Sequence, residues 1–254
     1  MAGCVVFVPI YGRLDLAERC LRSLDATTPV AVPFLVIDDC GPERTSDSWL
    51  AGVMASGRAT TLLVNDRNLG FVQTANRAFA ARQGRDVLLV NSDVVVFPGW
   101  YDGMLAAAGQ GVASVTAMSN QGSIATIAQG CLYSSPEQLA PIAEAARQSA
   151  SQPVGMPVGV GHALFLADAA LSDVGVFDLA FSPGYGEEVD WSIRARRRGW
   201  VHTAAPAVVV WHDAGASFGT GRTALRRWHE LKLAMRYPRE FLALRRRGAV
   251  ELVR

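Results

Sequence analysis

Four short apolar runs alternate with helix-like segments over the first ninety residues. This alternation restricts the fold more than any other feature of the chain. Residues 5–10, 34–37, 60–64 and 87–90 are rich in β-branched and aliphatic side chains. Between the first two runs, Leu14, Ala17, Leu21 and Leu24 recur at helical spacing. Residues 46–56 and 71–82 suit two further helices. Strands that alternate with helices predict βαβ units and a parallel sheet. The run at 87–90 lacks polar alternation, as a strand buried on both faces does. The expected class is α/β, with a Rossmann-like, mostly parallel central sheet flanked by helices.

The second half is less regular. It offers a helix over residues 135–150, a Gly/Pro-punctuated stretch over 149–161 and a strand over 162–166. Then come the loop Ser182-Pro183-Gly184-Tyr185-Gly186, a helix over 187–198 and a strand over 208–211. No repeat or linker divides the chain, so a single domain is expected.

Composition narrows the class. Half of the 254 residues are hydrophobic and the net charge is +1, which excludes intrinsic disorder. No apolar run reaches the ~20 residues of a membrane-spanning helix. The start reads as a strand, not a signal peptide, because it lacks a basic segment and meets Pro9 early. Cys4, Cys20, Cys40 and Cys131 are widely spaced with no CxxC pair, so reduced thiols in the cytoplasm are expected. Charge is unevenly spread. Residues 221–254 hold ten basic groups and three acids, a net of +7, which leaves −6 for residues 1–220. Such a segment is either a solvated helix or a contact for an anionic surface, the inner membrane face among them. Nucleic acid is not the expected partner.

In parallel sheets, ligands collect beyond the carboxyl ends of the strands. Here all four strand ends carry polar groups: Tyr11, Asp38 and Asp39, Asn65 to Asn68, and Asn91 to Asp93. In Val36-Ile37-Asp38-Asp39, the carboxylates either bind a base and ribose or make Asx turns. Asn68-Leu69-Gly70-Phe71 offers an N-cap at Asn68, a glycine that admits a ligand at Gly70, and Arg67 beside them for a diphosphate. Asn76 lies in the helix that follows. Asn91-Ser92-Asp93 ends the fourth strand and places a carboxylate at the sheet edge, beside the second-strand aspartates. Hard divalent ions such as Mg²⁺ take one or two carboxylates plus substrate phosphates. In Glu187-Glu188-Val189-Asp190 three acids open a helix, where its dipole favours them, and one could serve as a general base. Glu187 and Asp190 share one helical face, Glu188 and Trp191 another. His212 ends the last strand and could ligate a metal. His162 and His202 read as structural, and His229 has no evident partner.

Taken in order, these motifs resemble glycosyltransferase family 2, the inverting enzymes of the GT-A fold, and within it the bacterial rhamnosyltransferase-like members. Pro9-Ile10-Tyr11 looks like the family's opening strand, and Asp38-Asp39 like its nucleotide-binding aspartate pair. Asn68-Leu69-Gly70-Phe71 with Asn76 resembles the Asn-Leu-Gly segment. Asn91-Ser92-Asp93 stands in the place of Asp-x-Asp, and Glu187-Glu188 in that of the catalytic Glu-Asp. His212 to Ser217 is similar to the His-x-x-Gly-x-Ser segment. The sequence departs from the pattern at Asn91, where an aspartate is usual, and at Glu188, which lengthens the base by a methylene.

The resemblance implies a GT-A domain over residues 1–220. Its nucleotide-sugar-binding half would cover about 1–118 and its acceptor half about 119–220, with a basic helical extension over 221–254. It implies transfer from a nucleotide-diphosphate sugar to a hydroxyl of a saccharide or lipid-linked acceptor, in cell-surface polysaccharide or glycoconjugate synthesis. Glu188 would be the base, with Glu187 and Asp190 as fallbacks. Asp93 and His212 would hold Mg²⁺ or Mn²⁺. Pro9, Tyr11, Asp38, Asp39, Arg67, Asn68, Gly70, Asn76, Asn91, Ser92 and Asp93 would surround the donor. Two rivals remain. A sugar-nucleotide nucleotidyltransferase would carry a Gly-rich phosphate loop where this chain has Pro9-Ile10-Tyr11-Gly12-Arg13. A silent nucleotide-sugar-binding scaffold would bind without turnover.

Overall fold

Strands β1 (Cys4–Ile10), β2 (Phe34–Asp38), β3 (Thr60–Val64) and β4 (Asp86–Val90) form the parallel side of a sheet that has nine strands among the described residues. The computed structural model describes residues 3–122, 124–127, 134–149, 151–213 and 222–246. Cys131, Gly215 and Ser217 lie outside them, as does the end of the basic segment from residue 247. The strand order β3-β2-β1-β4 reverses direction between β1 and β4. A crevice opens at such a switch point, so Tyr11 and the Asn91–Asp93 turn flank the place where a ligand is expected. β1 also separates β2 from β4. Asp93 is therefore not beside the second-strand aspartates, as the sequence reading had it.

Beyond β4 the sheet is built from β5 (Val94–Val95), β6 (Val112–Ser119), β7 (Val154–Met156), β8 (Ala163–Leu166) and β9 (Val201–His212). β8 runs antiparallel between β4 and β6, and β9 lies parallel to β6. β7 and β5 pair antiparallel with the two ends of β9. The sequence reading misses β5, β6 and β7 and sees only the end of β9. In β6, Ser114, Thr116 and Ser119 are fully buried, so no apolar run marks it. They are tolerated because they are bonded: Ser114 to His202 Nδ1 at 2.7 Å, and Thr116 Oγ1 accepting Val160 N–H at 3.1 Å. β9 shifts register between its pairs Ala117–Ala205 and Met118–Val209, an irregularity spanning Pro206, which has no N–H to give.

Alternate residues of β1 feed two cores, as the strand period of two requires. Val6, Val8 and Ile10 pack with α1 (Leu14–Thr27), α2 (Asp47–Val53) and α4 (Trp100–Ala107). Val5 and Phe7 pack on the other face with α3 (Phe71–Ala81), α6 (Asp168–Val174) and α7 (Glu187–Arg197). α5 (Pro136–Gln148) covers Val209 and Trp211 of β9. The basic segment supplies α8 (Arg222–Arg236) and α9 (Pro238–Arg246). These are not free in solvent: Leu233, Tyr237, Phe241 and Leu244 form a third core with Phe181 and Ile193. No helix among the described residues is long and apolar enough to cross a membrane.

Candidate active site

The loops that follow β2 and β3 are held by the two aspartates. Asp38 is fully buried. Its Oδ1 accepts Cys40 N–H at 2.8 Å, an Asx turn, and its Oδ2 accepts both the N–H and the hydroxyl of Thr45 at 2.8 Å. Asp39 accepts from Asn65 Nδ2 at 2.7 Å and from the N–H groups of Leu69 and Gly70 at 2.8 and 2.9 Å. The sequence reading left these carboxylates between a base with its ribose and Asx turns, and the resemblance placed them at the donor. In the folded chain they are spent on the backbone that shapes the loops. Asn76 is likewise committed: its amide donates to Phe177 O at 2.8 Å and accepts Phe177 N–H at 3.0 Å.

Asn68 is not the N-cap of α3. That position belongs to Gly70, at φ 79°, and Asn68 Oδ1 accepts the Gly70 N–H at 2.8 Å. Nor is the space beside Gly70 left for a ligand, since a Cβ there would fall 2.6 Å from the Cβ of Pro183. Pro9 sits inside β1 opposite Ile37. Tyr11 is 42% exposed. Arg67 is exposed and makes no hydrogen bond or ion pair among the described residues.

The Pro183 loop leads to the acidic helix. Gly186 turns the chain into α7 at φ 94°, where a Cβ would press on Leu233 and Phe181. Glu187 follows, only 4% exposed, and Glu188 is partly exposed. The Oε2 atoms of both are out of reach of solvent and have no hydrogen-bond partner. Burial pushes the Glu187 carboxyl well above its usual range, and the charge of Glu188 adds to this. Burial also raises Glu188, against the pull of nearby backbone N–H groups and of Glu187. Asp190, a fallback base in the sequence reading, is fully buried. It accepts from Arg194 at 2.8 Å, Arg236 at 2.9 Å and the Tyr237 hydroxyl at 2.8 Å, and so fastens α7 to α8. His229, without a partner in the sequence, donates through Nδ1 to Gly184 O and Tyr185 O at 3.0 and 2.8 Å. It holds the loop that carries the glutamates.

Asp93 and His212 meet because β5 pairs with the end of β9, with Val94 opposite His212. His212 Nε2 lies 3.4 Å from Asp93 Oδ1. Asp93 Oδ1 and His212 Nδ1 are buried without hydrogen-bond partners. Asp93 Oδ1 and the imidazole Nε2 that faces it suit a divalent cation that takes its remaining ligands from a diphosphate. No group of three or more protein ligands occurs among the described residues. His162, read as structural, donates through Nε2 to Ala117 O at 2.9 Å and stacks on His212 with ring centroids 5.4 Å apart. Burial lowers its pKa to about 3, so it stays neutral. Asn120 accepts the His212 N–H at 2.7 Å and donates to its carbonyl at 3.3 Å.

These parts join in one chain of contacts. Asp39 holds Gly70, Gly70 abuts Pro183, and the Pro183 loop opens into Glu187 and Glu188. A Cβ at Gly161 would lie 3.6 Å from Glu188 Oε1. The next residue, His162, stacks on His212, which faces Asp93. The sequence profile of glycosyl transferase family 2 matches residues 5–169.

The chain belongs to glycosyl transferase family 2.

Solved glycosyltransferases share its fold at low identity. GalNAc-T7 with UDP, GalNAc and Mn²⁺ aligns with a TM-score of 0.69 at 15% identity, over 100% of this chain and 52% of that one. The mannosyltransferase PcManGT of Pyrobaculum calidifontis, in complex with GDP-Man and Mn²⁺, gives 0.66 at 17%, over 97% and 68%. TarS of S. aureus (residues 1–349) in complex with UDP-GlcNAc gives 0.59 at 14%, over 91% and 66%. The chain thus spans about half of the first of these proteins and about two thirds of the others. A comparison with curated protein sequences finds no match. This family 2 member has the α/β GT-A fold, with its mostly parallel sheet flanked by helices.

Two residues beside this candidate site escape the sequence reading. Asn120 follows a strand that carries no apolar signature, so a polar group at a strand end was not visible there. His162 reads as an ordinary buried histidine, and only the sheet order, with β6 between β8 and β9, brings His212 near it.

Proposed function

We propose that the protein is an inverting glycosyltransferase. It moves a sugar from a nucleoside-diphosphate sugar to a hydroxyl of a saccharide or lipid-linked acceptor, in the synthesis of a cell-surface polysaccharide or glycoconjugate. The observation that carries this reading is a buried carboxylate oxygen without a partner at each side of the site: Glu188 Oε2 on one, and on the other Asp93 Oδ1, which His212 Nε2 faces at 3.4 Å. Buried polar atoms are rarely left without a partner, and an ion, a water or a ligand commonly supplies it.

The reaction follows from the residues. Glu188 takes the proton of the acceptor hydroxyl, and its raised pKa makes it a stronger base than an ordinary glutamate. The hydroxyl oxygen bonds to the anomeric carbon from the face opposite the diphosphate. The carbon–oxygen bond to the diphosphate breaks, and the nucleoside diphosphate leaves with the electron pair. Asp93 and His212 would hold Mg²⁺ or Mn²⁺, which neutralises the charge that gathers on the departing diphosphate. Arg67, an unpaired cation at the start of the α3 loop, adds to that neutralisation. Tyr11 presents an exposed ring beside the nucleotide base. Burial and the charge of Glu188 favour the protonated form of Glu187.

The test is a thermal-shift screen of UDP-, GDP- and dTDP-sugars with and without Mn²⁺, followed by assay of nucleoside-diphosphate release. A donor at 100 Kd adds ~2.7 kcal/mol of stability, and one donor class is expected to give that shift in a Mn²⁺-dependent way. No shift with any donor defeats the reading. A shift without turnover assigns the chain to the silent binding modules instead.

A further inference from the structure

The outer side of α8 takes no part in the site. Ala224, Trp228, Leu231 and Met235 recur at i, i+4, i+7 and i+11, which places them on one stripe of the helix. Trp228, Leu231 and Met235 are 55, 51 and 65% exposed, while His229 and Leu233 on the opposite side are buried. α9 divides in the same way. Phe241 and Leu244 are buried, whereas Arg239, Leu242 and Arg246 share an exposed face at i, i+3 and i+7. Arg239, Arg245 and Arg246 make no ion pair among the described residues. An apolar stripe alone would fit many partners. Its company of unpaired arginines, in a segment of net +7 on a chain of net +1, selects an anionic one and sets a second, like-charged copy at a disadvantage.

We infer that α8 and α9 form a docking surface for an anionic lipid bilayer. Trp228, Leu231 and Met235 enter the boundary between headgroups and acyl chains, and Arg239, Arg245 and Arg246 meet the lipid phosphates. Resting on the function proposed above, this surface has a further consequence. The inner side of α8 holds the Gly184–Tyr185 loop through His229, so the bilayer lies about one helix diameter, ~10–12 Å, from the loop that carries Glu188. That arrangement suits an acceptor whose lipid end stays in the membrane.

Co-sedimentation of the full chain with vesicles, without any donor, tests the inference. Binding is expected to vesicles of phosphatidylglycerol and phosphatidylcholine, to fall as salt rises, and to be absent with phosphatidylcholine alone. Combining Arg239→Gln, Arg245→Gln and Arg246→Gln should weaken binding about a hundredfold, roughly fivefold for each charge. Combining Trp228→Ser, Leu231→Ser and Met235→Ser should also abolish sedimentation. Melting temperature and donor-induced thermal shift serve as folding controls for both variants. Equal binding to both kinds of vesicle, binding to neither, or variants that bind like the native chain overturns the inference. A dimer that the serine variant converts to monomer, with vesicle binding unchanged, gives the surface to a second copy and overturns it as well. None of these outcomes touches the donor screen, so failure here leaves the transferase reading standing.

Discussion

The loops after β2 and β3 and the loops around Glu188 and His212 handle buried polar groups in opposite ways. In the first region every buried carboxylate oxygen has an internal donor: Asp38 from Cys40 and Thr45, Asp39 from Asn65, Leu69 and Gly70. In the second, Glu187, Glu188, Asp93 and His212 each keep a buried atom with no partner. A satisfied carboxylate fixes backbone, whereas an unsatisfied one is held ready for something absent from the chain. The first region is the frame, and the second is where chemistry is expected.

The sharpest way to break that contrast is Glu188→Gln. It keeps the shape of the side chain and removes the base, so glycosyl transfer should fall by ~10²–10⁴ while the melting temperature holds. Transfer near the native rate would take the base away from Glu188. Because burial raises this carboxyl above the ordinary glutamate value, the acid limb of the kcat/KM profile should lie above pH ~4.5. On the framing side, Asp39→Ala leaves the loop N–H groups without their acceptor. It should cost about 3 kcal/mol in urea unfolding; an unchanged midpoint would end the framing role.

Glu187→Gln separates the two kinds of carboxylate by pH. The folded state of the native chain holds a proton on Glu187 that the unfolded chain releases above its ordinary pKa of 4.5. Stability is therefore greatest below that pH and falls as pH rises towards the folded-state value. Removing the carboxyl should raise the melting temperature at pH 8, with the gain closing below pH ~4.5. A gain that does not vary with pH would deny the buried proton. The smallest effect belongs to Arg67→Ala. An exposed charge contributes ~0.5–1 kcal/mol, so the donor KM should rise roughly two- to fivefold with kcat and melting temperature unchanged. No change in KM would remove Arg67 from the site.

Much of this protein is legible in its residues. Apolar runs at β1 to β4 mark the parallel half of the sheet, because each carries the pattern of its own burial. The second half hides its strands for physical reasons. β6 is buried but built from Ser, Thr and Ala, and β9 is interrupted near Pro206. The family motifs name Glu188, Asp93 and His212, and the structure brings Glu188 and His212 to the two sides of the Gly161–His162 step. The same motifs name Asp38, Asp39, Asn76 and Asp190, and these prove to be bonded within the chain.

The sequence alone determined the α/β class, the order of the motifs and the uneven spread of charge, since periodicity and composition are local properties. Which polar groups are spent on the fold, and which remain unspent, only the tertiary structure decided. A hydrogen-bond partner such as Phe177 for Asn76 or Tyr237 for Asp190 lies tens of residues away, and no local pattern reports it.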